Sequence, residues 1–303
     1  MRYHEGQLAV QHRAGGADQA ERLMRGMRAE LPEPARAFLA QQQLLVLAGA
    51  DADGRVWATP LHGAPGFARA IGPDTLVIDA LPPADDPLAG VLGAGPVPAG
   101  LLAIEPATRR RMRVNGLAVP AGDGLRFDVE QAFSNCPKYI ARREPSGPAG
   151  AGGRPVAATR GTLAPGDLAL VRGADTFFIA SAGPDGARDA SHRGGEPGFV
   201  DAEPGRISFP DYTGNAMFMT LGNLHANPAA GLLFVGWEDG ATLQVSGRAA
   251  IDWSPARAAA FPGAERVVDL EVERVVATAR ALPAPWRFLE ASRFNPPAVR
   301  PAA

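Results

Sequence analysis

Apolar residues come in short runs with no long helical stripe. The first half offers "QLLVLAGA", "TLVIDAL", "GLLAIE", "MRVNGLAV" and "GLRFDVEQAF". The second offers "DTFFIASA", "RISFP", "AGLLFVGWE", "ATLQVSGRAAIDW" and "RVVDLEVERVVA". These runs are rich in β-branched and aromatic residues and are separated by Gly, Pro and Asp, which predicts strands. "PDG" at Pro184–Gly186 and "EDG" at Glu238–Gly240 supply turn signals between them. Helical pattern is confined to "ADQAERLMRGMRAEL", "PEPARAFLAQQ" and a short stretch after Asn215. The chain reads as mainly β with minor α, and the strand spacing favours barrels over a parallel α/β sheet.

The pattern occurs twice. "DGRVWATPLHGAPGF" (Asp53–Phe67) aligns without a gap on "DGARDASHRGGEPGF" (Asp185–Phe199), and "GLLAI" answers "GLLFV". After a one-residue slip, "RMRVNGLAV" (Arg111–Val119) aligns on "TLQVSGRAA" (Thr242–Ala250). Three matches in one order, far longer in period than a solenoid repeat, predict a duplicated domain. We expect two small β-barrels in tandem. Residues 1–145 would form an N-terminal extension plus a degenerate first barrel, 155–303 the second, with a linker at 146–154 in the Gly/Pro-rich "REPSGPAGAGGRP" (Arg143–Pro155).

Composition narrows the function classes. A chain of 303 residues with 46% apolar content can bury a substantial core. A formal charge of −2 gives no case for nucleic-acid binding or a polybasic membrane patch. One cysteine, Cys136, and no apolar run long enough for a span point to a cytoplasmic protein. The five histidines show no metal-binding spacing, and no Gly-x-Ser-x-Gly elbow occurs. "VLGAGPVPAG" fails as a dinucleotide loop because Pro96 and Pro98 block the helix that must follow.

Three segments carry candidate chemistry. In "FPDYTGNAMFMTLGNLHANP" (Phe209–Pro228), Asn215 is placed to cap a helix whose free N–H groups would face an anion; a plain capped connector is the alternative. In "DASHRGGEPGF" (Asp189–Phe199), Arg193 can supply a charge-assisted hydrogen bond and the glycines allow close backbone approach, although a surface turn has the same composition. The first copy is a control. There Thr59, Pro60 and Leu61 stand where the second has Ser191, His192 and Arg193, and no helix-compatible run follows "VIDAL". One working site per chain is therefore expected. In "NCPKYIARR" (Asn135–Arg143), Pro137 would open a helix with Cys136 and Lys138 at its start. Lys138 is the better anion contact, and Cys136 more simply a structural thiol. "RRRMR" (Arg109–Arg113) puts alternate arginines on one strand face, either toward an anion or toward solvent.

The run "DASHRGGEPGFV…FPDYTGNAMFMTLGNLHANPAAGLLF…LQVSGRAAI" resembles the pyridoxamine 5′-phosphate oxidase-like family of FMN-binding split barrels, over about 177–253. "RRMRVNGLAV" and "NCPKYIARR" resemble segments of its longer members. The resemblance implies a six-stranded split barrel with FMN between two barrels, normally in a homodimer; here the fused copies would supply that interface. Carried over, Ser191, His192, Arg193 and Gly194 reach the flavin and its phosphate. Asp211, Tyr212 and Asn215 belong to the turn beside the ring and ribityl chain. Phe218–Thr220 replace the family's basic pair at the helix start, which leaves phosphate binding to Arg193, Thr220, backbone N–H groups and the other barrel, Lys138 included. The implied function is an FMN-dependent oxidoreductase acting on a small molecule, with a nicotinamide or a separate reductase as electron source. A non-catalytic flavin carrier, or a binder of haem or a deazaflavin, is the alternative. The resemblance assigns no catalytic residue.

Overall fold

The computed structural model describes residues 2–146, 156–283 and 285–297. Of the expected linker at 146–154, only Ser146 lies within the described residues; its N–H donates to the Pro285 carbonyl. Three helices lead in: α1 (Glu5–Arg13), α2 (Ala17–Met24) and α3 (Glu33–Ala40). The sequence pattern gave no hint of α1. The helix expected over 17–31 ends at Met24, because Arg28 exchanges backbone hydrogen bonds with Ala132 of the first sheet instead.

The first half continues with β1 (Leu44–Ala50), β2 (Val56–His62), β3 (Ala68–Ala70), β4 (Thr75–Ile78), α4 (Ala89–Ala94), β5 (Val97–Glu105), β6 (Arg110–Ala121) and β7 (Gly124–Ser134). Then come β8 (Arg142–Pro145), β9 (Val156–Arg160) and α5 (Pro165–Gly173). The second half runs β10 (Thr176–Ala182), β11 (Arg188–Gly194), β12 (Asp201–Glu203), β13 (Arg206–Tyr212), α6 (Met219–Ala226), β14 (Ala229–Val235), β15 (Thr242–Asp252), α7 (Pro255–Ala258), β16 (Ala264–Ala279) and β17 (Trp286–Glu290).

The two large sheets have one topology. The first is ordered β2-β1-β5-β6-β7-β4-β3 and the second β11-β10-β14-β15-β16-β13-β12, with β9 added beside β16. Leu45 pairs with Leu61 as Phe177 pairs with Arg193. Both long hairpins carry a bulge at the same place, Asn115/Gly116 and Ser246/Gly247. The duplication read from the sequence is a duplication of sheet topology, and the second copy is an antiparallel split barrel. One expectation fails. The first copy does form a helix between its fourth and fifth strands, the six-residue α4, where the second copy has α6.

Packing between the halves explains the uninterrupted apolar runs. Leu45 and Leu47 of β1 enter the first core, whereas Leu44, Val46 and Ala48 face the other half. Phe177 and Ile179 of β10 enter the second core, and Phe178, Ala180 and Ala182 meet the first half. Strands buried on both faces need apolar residues at every position. Each fully buried Leu, Val or Phe contributes roughly 1.5–3 kcal/mol, so this shared layer binds the halves firmly. The contact is pseudo-symmetric. A Cβ on Gly100 would lie 2.7 Å from the Arg188 carbonyl oxygen, and one on Gly231 would lie 2.6 Å from that of Val56. Equivalent glycines thus permit equivalent close approaches.

Candidate functional site

A cavity of about 100 Å³ lies at the junction of the halves, between β11, the β13–α6 loop, β6 and the turn after β7. It gathers all nine residues singled out in the sequence: Ser191, His192, Arg193, Gly194, Asp211, Tyr212, Asn215, Thr220 and Lys138. It also takes Arg111 and Arg113 from β6 of the first half. The signal for those two was the "RRRMR" run, but only the packing of one half on the other shows which arginines face the second half. Arg109 and Arg110 go elsewhere, to Glu290 and Glu105.

Two expected local structures are corrected. Asn215 does not cap α6, whose N-cap position is Phe218, with no side-chain cap. Asn215 instead closes an Asx turn, its Oδ1 accepting from the Met217 N–H at 3.2 Å. Ala216 and Phe218 both hold left-handed backbone at φ 60° and 51°, which delays helix onset and costs roughly 1–3 kcal/mol at each non-glycine position. Helix α1 holds the loop in place, for Gln11 donates to the Met217 carbonyl at 2.9 Å. The segment around Cys136 and Lys138 is a turn and not a helix start. Tyr139 sits there at φ 65°. Its hydroxyl donates to the Thr213 carbonyl at 3.0 Å, and its ring lies 5.2 Å from that of Tyr212.

The charges are unevenly compensated. Arg113 donates to Asp189 Oδ2 at 2.9 Å and to Ser191 Oγ at 2.6 Å. Arg193 donates to Asp211 Oδ1 at 2.6 Å, while Arg266 reaches Asp211 Oδ2 at 3.1 Å and also pairs with Glu265. Arg193 is therefore not free for a ligand as the sequence suggested; it shares a carboxylate and offers its remaining N–H groups. Arg111 differs. Among the described residues neither it nor Lys138 is paired with a carboxylate, and Arg111 Nη1 instead donates to His192 Nδ1 at 2.9 Å. Burial, and then repulsion from Arg113, pushes Arg111 down to about 9. His192, 5% exposed, is pushed well below its ordinary value by burial and then by Arg111, Arg193, Arg143 and Arg113. An arginine can only donate, so Nδ1 must accept and the proton of the neutral ring sits on Nε2. Buried atoms without a partner cluster here: Arg111 Nε, Arg113 Nε, Asn135 Oδ1, His192 Nε2, Arg193 Nε and Thr220 Oγ1.

The equivalent place on the other side of the pseudo-symmetry holds a smaller cavity of about 50 Å³. It is lined by Pro60, Leu61 and His62, by the loop through Asp86, and by Thr242 and Gln244 of β15. Gln244 donates to Thr59 Oγ1 and to Asp86 Oδ2, each at 3.0 Å, and Thr59 donates to Asp86 Oδ1 at 3.0 Å. Burial pushes Asp86 up, against the pull of the Leu88 N–H, Gln244 and Thr59. Among the described residues no lysine or arginine lines this cavity, and none of those lining it has a buried side-chain nitrogen or oxygen without a partner.

Residues 167–284 match the family model for pyridoxamine 5′-phosphate oxidase. No curated protein gives a significant match. Solved structures similar to this chain include HupZ of Group A Streptococcus, at 15% identity over 37% of this chain and 92% of that one, with a TM-score of 0.32. A putative pyridoxamine 5′-phosphate oxidase from Lactobacillus delbrueckii is 16% identical over 38% and 93%, with a TM-score of 0.31. A FAD-binding protein from Mesorhizobium loti is 15% identical over 40% and 98%, with a TM-score of 0.27.

Proposed function

We propose, on the match of residues 167–284 to the family model for pyridoxamine 5′-phosphate oxidase, that the protein is an FMN-dependent oxidoreductase with one flavin site per chain. The observation that carries this reading is the pair of cations, Arg111 and Lys138, with no carboxylate among the described residues, on a cavity that also holds the orphaned Thr220 hydroxyl and Arg193 Nε. A phosphate monoester carries about −1.5 to −2 charge at pH 7 and three acceptor oxygens. It would balance both cations and satisfy several of these donors at once.

The residues present fit the group. Arg111 and Arg113 from the first half, with Arg193 and Thr220 from the second, would hold the phosphate in place of a basic pair at the helix start. His192 Nε2–H is a further donor. At about 100 Å³ the cavity takes the phosphate alone, since sites for whole organic ligands measure roughly 300–1,000 Å³. Seating the ring requires Met217, Phe218 and Met219 at the cavity to yield, and methionine is suited to that. When bound, the flavin supplies the redox chemistry, and the chain binds, orients and excludes water. For the haem alternative, the His192 Nδ1 lone pair accepts from Arg111 and Nε2 carries the proton, so iron binding there would require that contact to break.

The absorption spectrum of the purified protein, recorded after excess FMN is added and unbound FMN removed, tests the proposal. Retained flavin bands are expected. A featureless spectrum would end the flavin reading, and a haem Soret band would replace it.

A further inference from the structure

The segment Asn215–Phe218 stops one turn short of the helix its sequence encodes. Asn215 Oδ1 accepts from the Met217 N–H at 3.2 Å, which is the bond an N-cap residue makes to the second residue of its helix. Only the backbone at Ala216 and Phe218 departs, with φ of 60° and 51° against about −63° in a helix. Left-handed backbone at two residues that carry a Cβ persists only where the surroundings impose it.

The contacts that impose it come from α1 and the turn that follows. In a helix begun at Ala216, the Met217 carbonyl would accept from the Leu221 N–H. Here it accepts from Gln11 Nε2 at 2.9 Å, and Gln11 is buried. Gly16 packs on both left-handed residues: a Cβ there would lie 2.9 Å from Ala216 Cβ and 3.1 Å from Phe218 Cε2. Helix α1 is itself fastened to α6. A Cβ on Gly6 would lie 2.5 Å from the Gly222 carbonyl oxygen, and His4 Nε2 and Gln7 Nε2 both meet Asn223 Oδ1, at 2.8 and 3.3 Å.

The same segment limits the charged cavity, since Met217 and Phe218 line it. Rotating Ala216 and Phe218 to helical values redirects both side chains and leaves N–H groups of a new first turn free for an anion. We propose that α1 is an autoinhibitory clamp on this site. With α1 docked, residues 215–218 are held off the helix and the cavity takes phosphate alone. With α1 released, α6 begins at Ala216, Met217 and Phe218 move, and the flavin ring enters. Flavin binding and α1 docking therefore oppose each other. The clamp rests on the reading of this cavity as an FMN site; the two states of the loop do not.

The test uses the full chain. Gln11→Met keeps the side chain's length and removes the donor to Met217. FMN affinity should rise about 5- to 10-fold, the worth of one hydrogen bond, because a larger fraction of the chain is competent to bind. Ala216→Gly, which eases left-handed backbone and disfavours helix, should lower it about fivefold. Without FMN, the three-bond HN–Hα couplings of Ala216 and Phe218 should move toward the helical value in Gln11→Met. They should move further in Gly6→Leu, which wedges α1 from α6 and alters no residue lining the charged cavity. Couplings that keep their left-handed values in both variants, or a measurable FMN affinity that does not rise in Gln11→Met, would overturn the clamp. If no variant binds FMN, the flavin reading falls, and the couplings alone decide whether α1 holds the loop.

Discussion

The cavity beside α6 and its twin beneath β2 occupy equivalent places in two copies of one fold, yet they differ at nearly every polar position. Ser191, His192 and Arg193 line the first; the aligned residues are Thr59, Pro60 and Leu61, of which Pro60 and Leu61 line the twin. Across the junction, Arg111 and Arg113 correspond to Thr242 and Gln244. In the twin, Gln244, Thr59 and Asp86 satisfy one another. In the first, six buried side-chain atoms have no partner among the described residues. A buried polar group without a partner costs about 1–3 kcal/mol, so the two cavities differ in how completely their polar atoms are satisfied. Each cavity is also built across the junction. The first copy contributes two arginines to the charged cavity of the second.

The largest expected effect comes from giving the charged cavity its twin's residues. Arg111→Thr with Arg113→Gln removes two charge-assisted donors worth about 1.5–3 kcal/mol each, so FMN affinity should fall at least about 100-fold in a fluorescence titration. An unaltered affinity would show that the first half plays no part. Arg193→Ala comes next, about 10- to 100-fold weaker from one such contact; retained affinity would remove Arg193 from the site.

A smaller, graded effect follows from titration. Arg111 folds with its value lowered to about 9, so the unfolded chain holds the extra proton above that pH. Phosphate affinity should decline as pH rises through about 9, while folding stability gains from this group over the same interval. His192, also depressed, has the same sign at lower pH: stability is lost as pH falls below the ordinary histidine value of about 6.5. Phosphate titrations and thermal melts across pH would show both trends, and a flat phosphate profile through pH 9 would rule out Arg111 as a ligand. The smallest effect is that of Asn215→Ala. With the cap at Phe218, the loss is one turn hydrogen bond and a weak donation from Asn215 Nδ2 to Met217 Sδ, about 0.5–1.5 kcal/mol in denaturant unfolding.

The strands and the duplication were legible because strands buried on both faces leave continuous apolar runs, and because aligned residues hold the same register, Leu61 on Leu45 and Arg193 on Phe177. The second-half residues that line the cavity were legible through resemblance. Arg111 and Arg113 were visible as a basic run, but their aim depends on pseudo-symmetric packing that no local pattern encodes. Asn215 and Pro137 misled for a different reason. Both are strong helix-start signals, and left-handed backbone at Phe218 and Tyr139 overrides them. The role of α1 in holding the loop through Gln11 rests on a contact between residues far apart in sequence.

The most direct test is the stoichiometry of FMN binding to the full chain, followed by flavin fluorescence in wild type and in the Arg111→Thr, Arg113→Gln variant. The account predicts one FMN per chain, lost in the variant. No binding, two FMN per chain, or one that survives in the variant would contradict a single site built jointly by both halves.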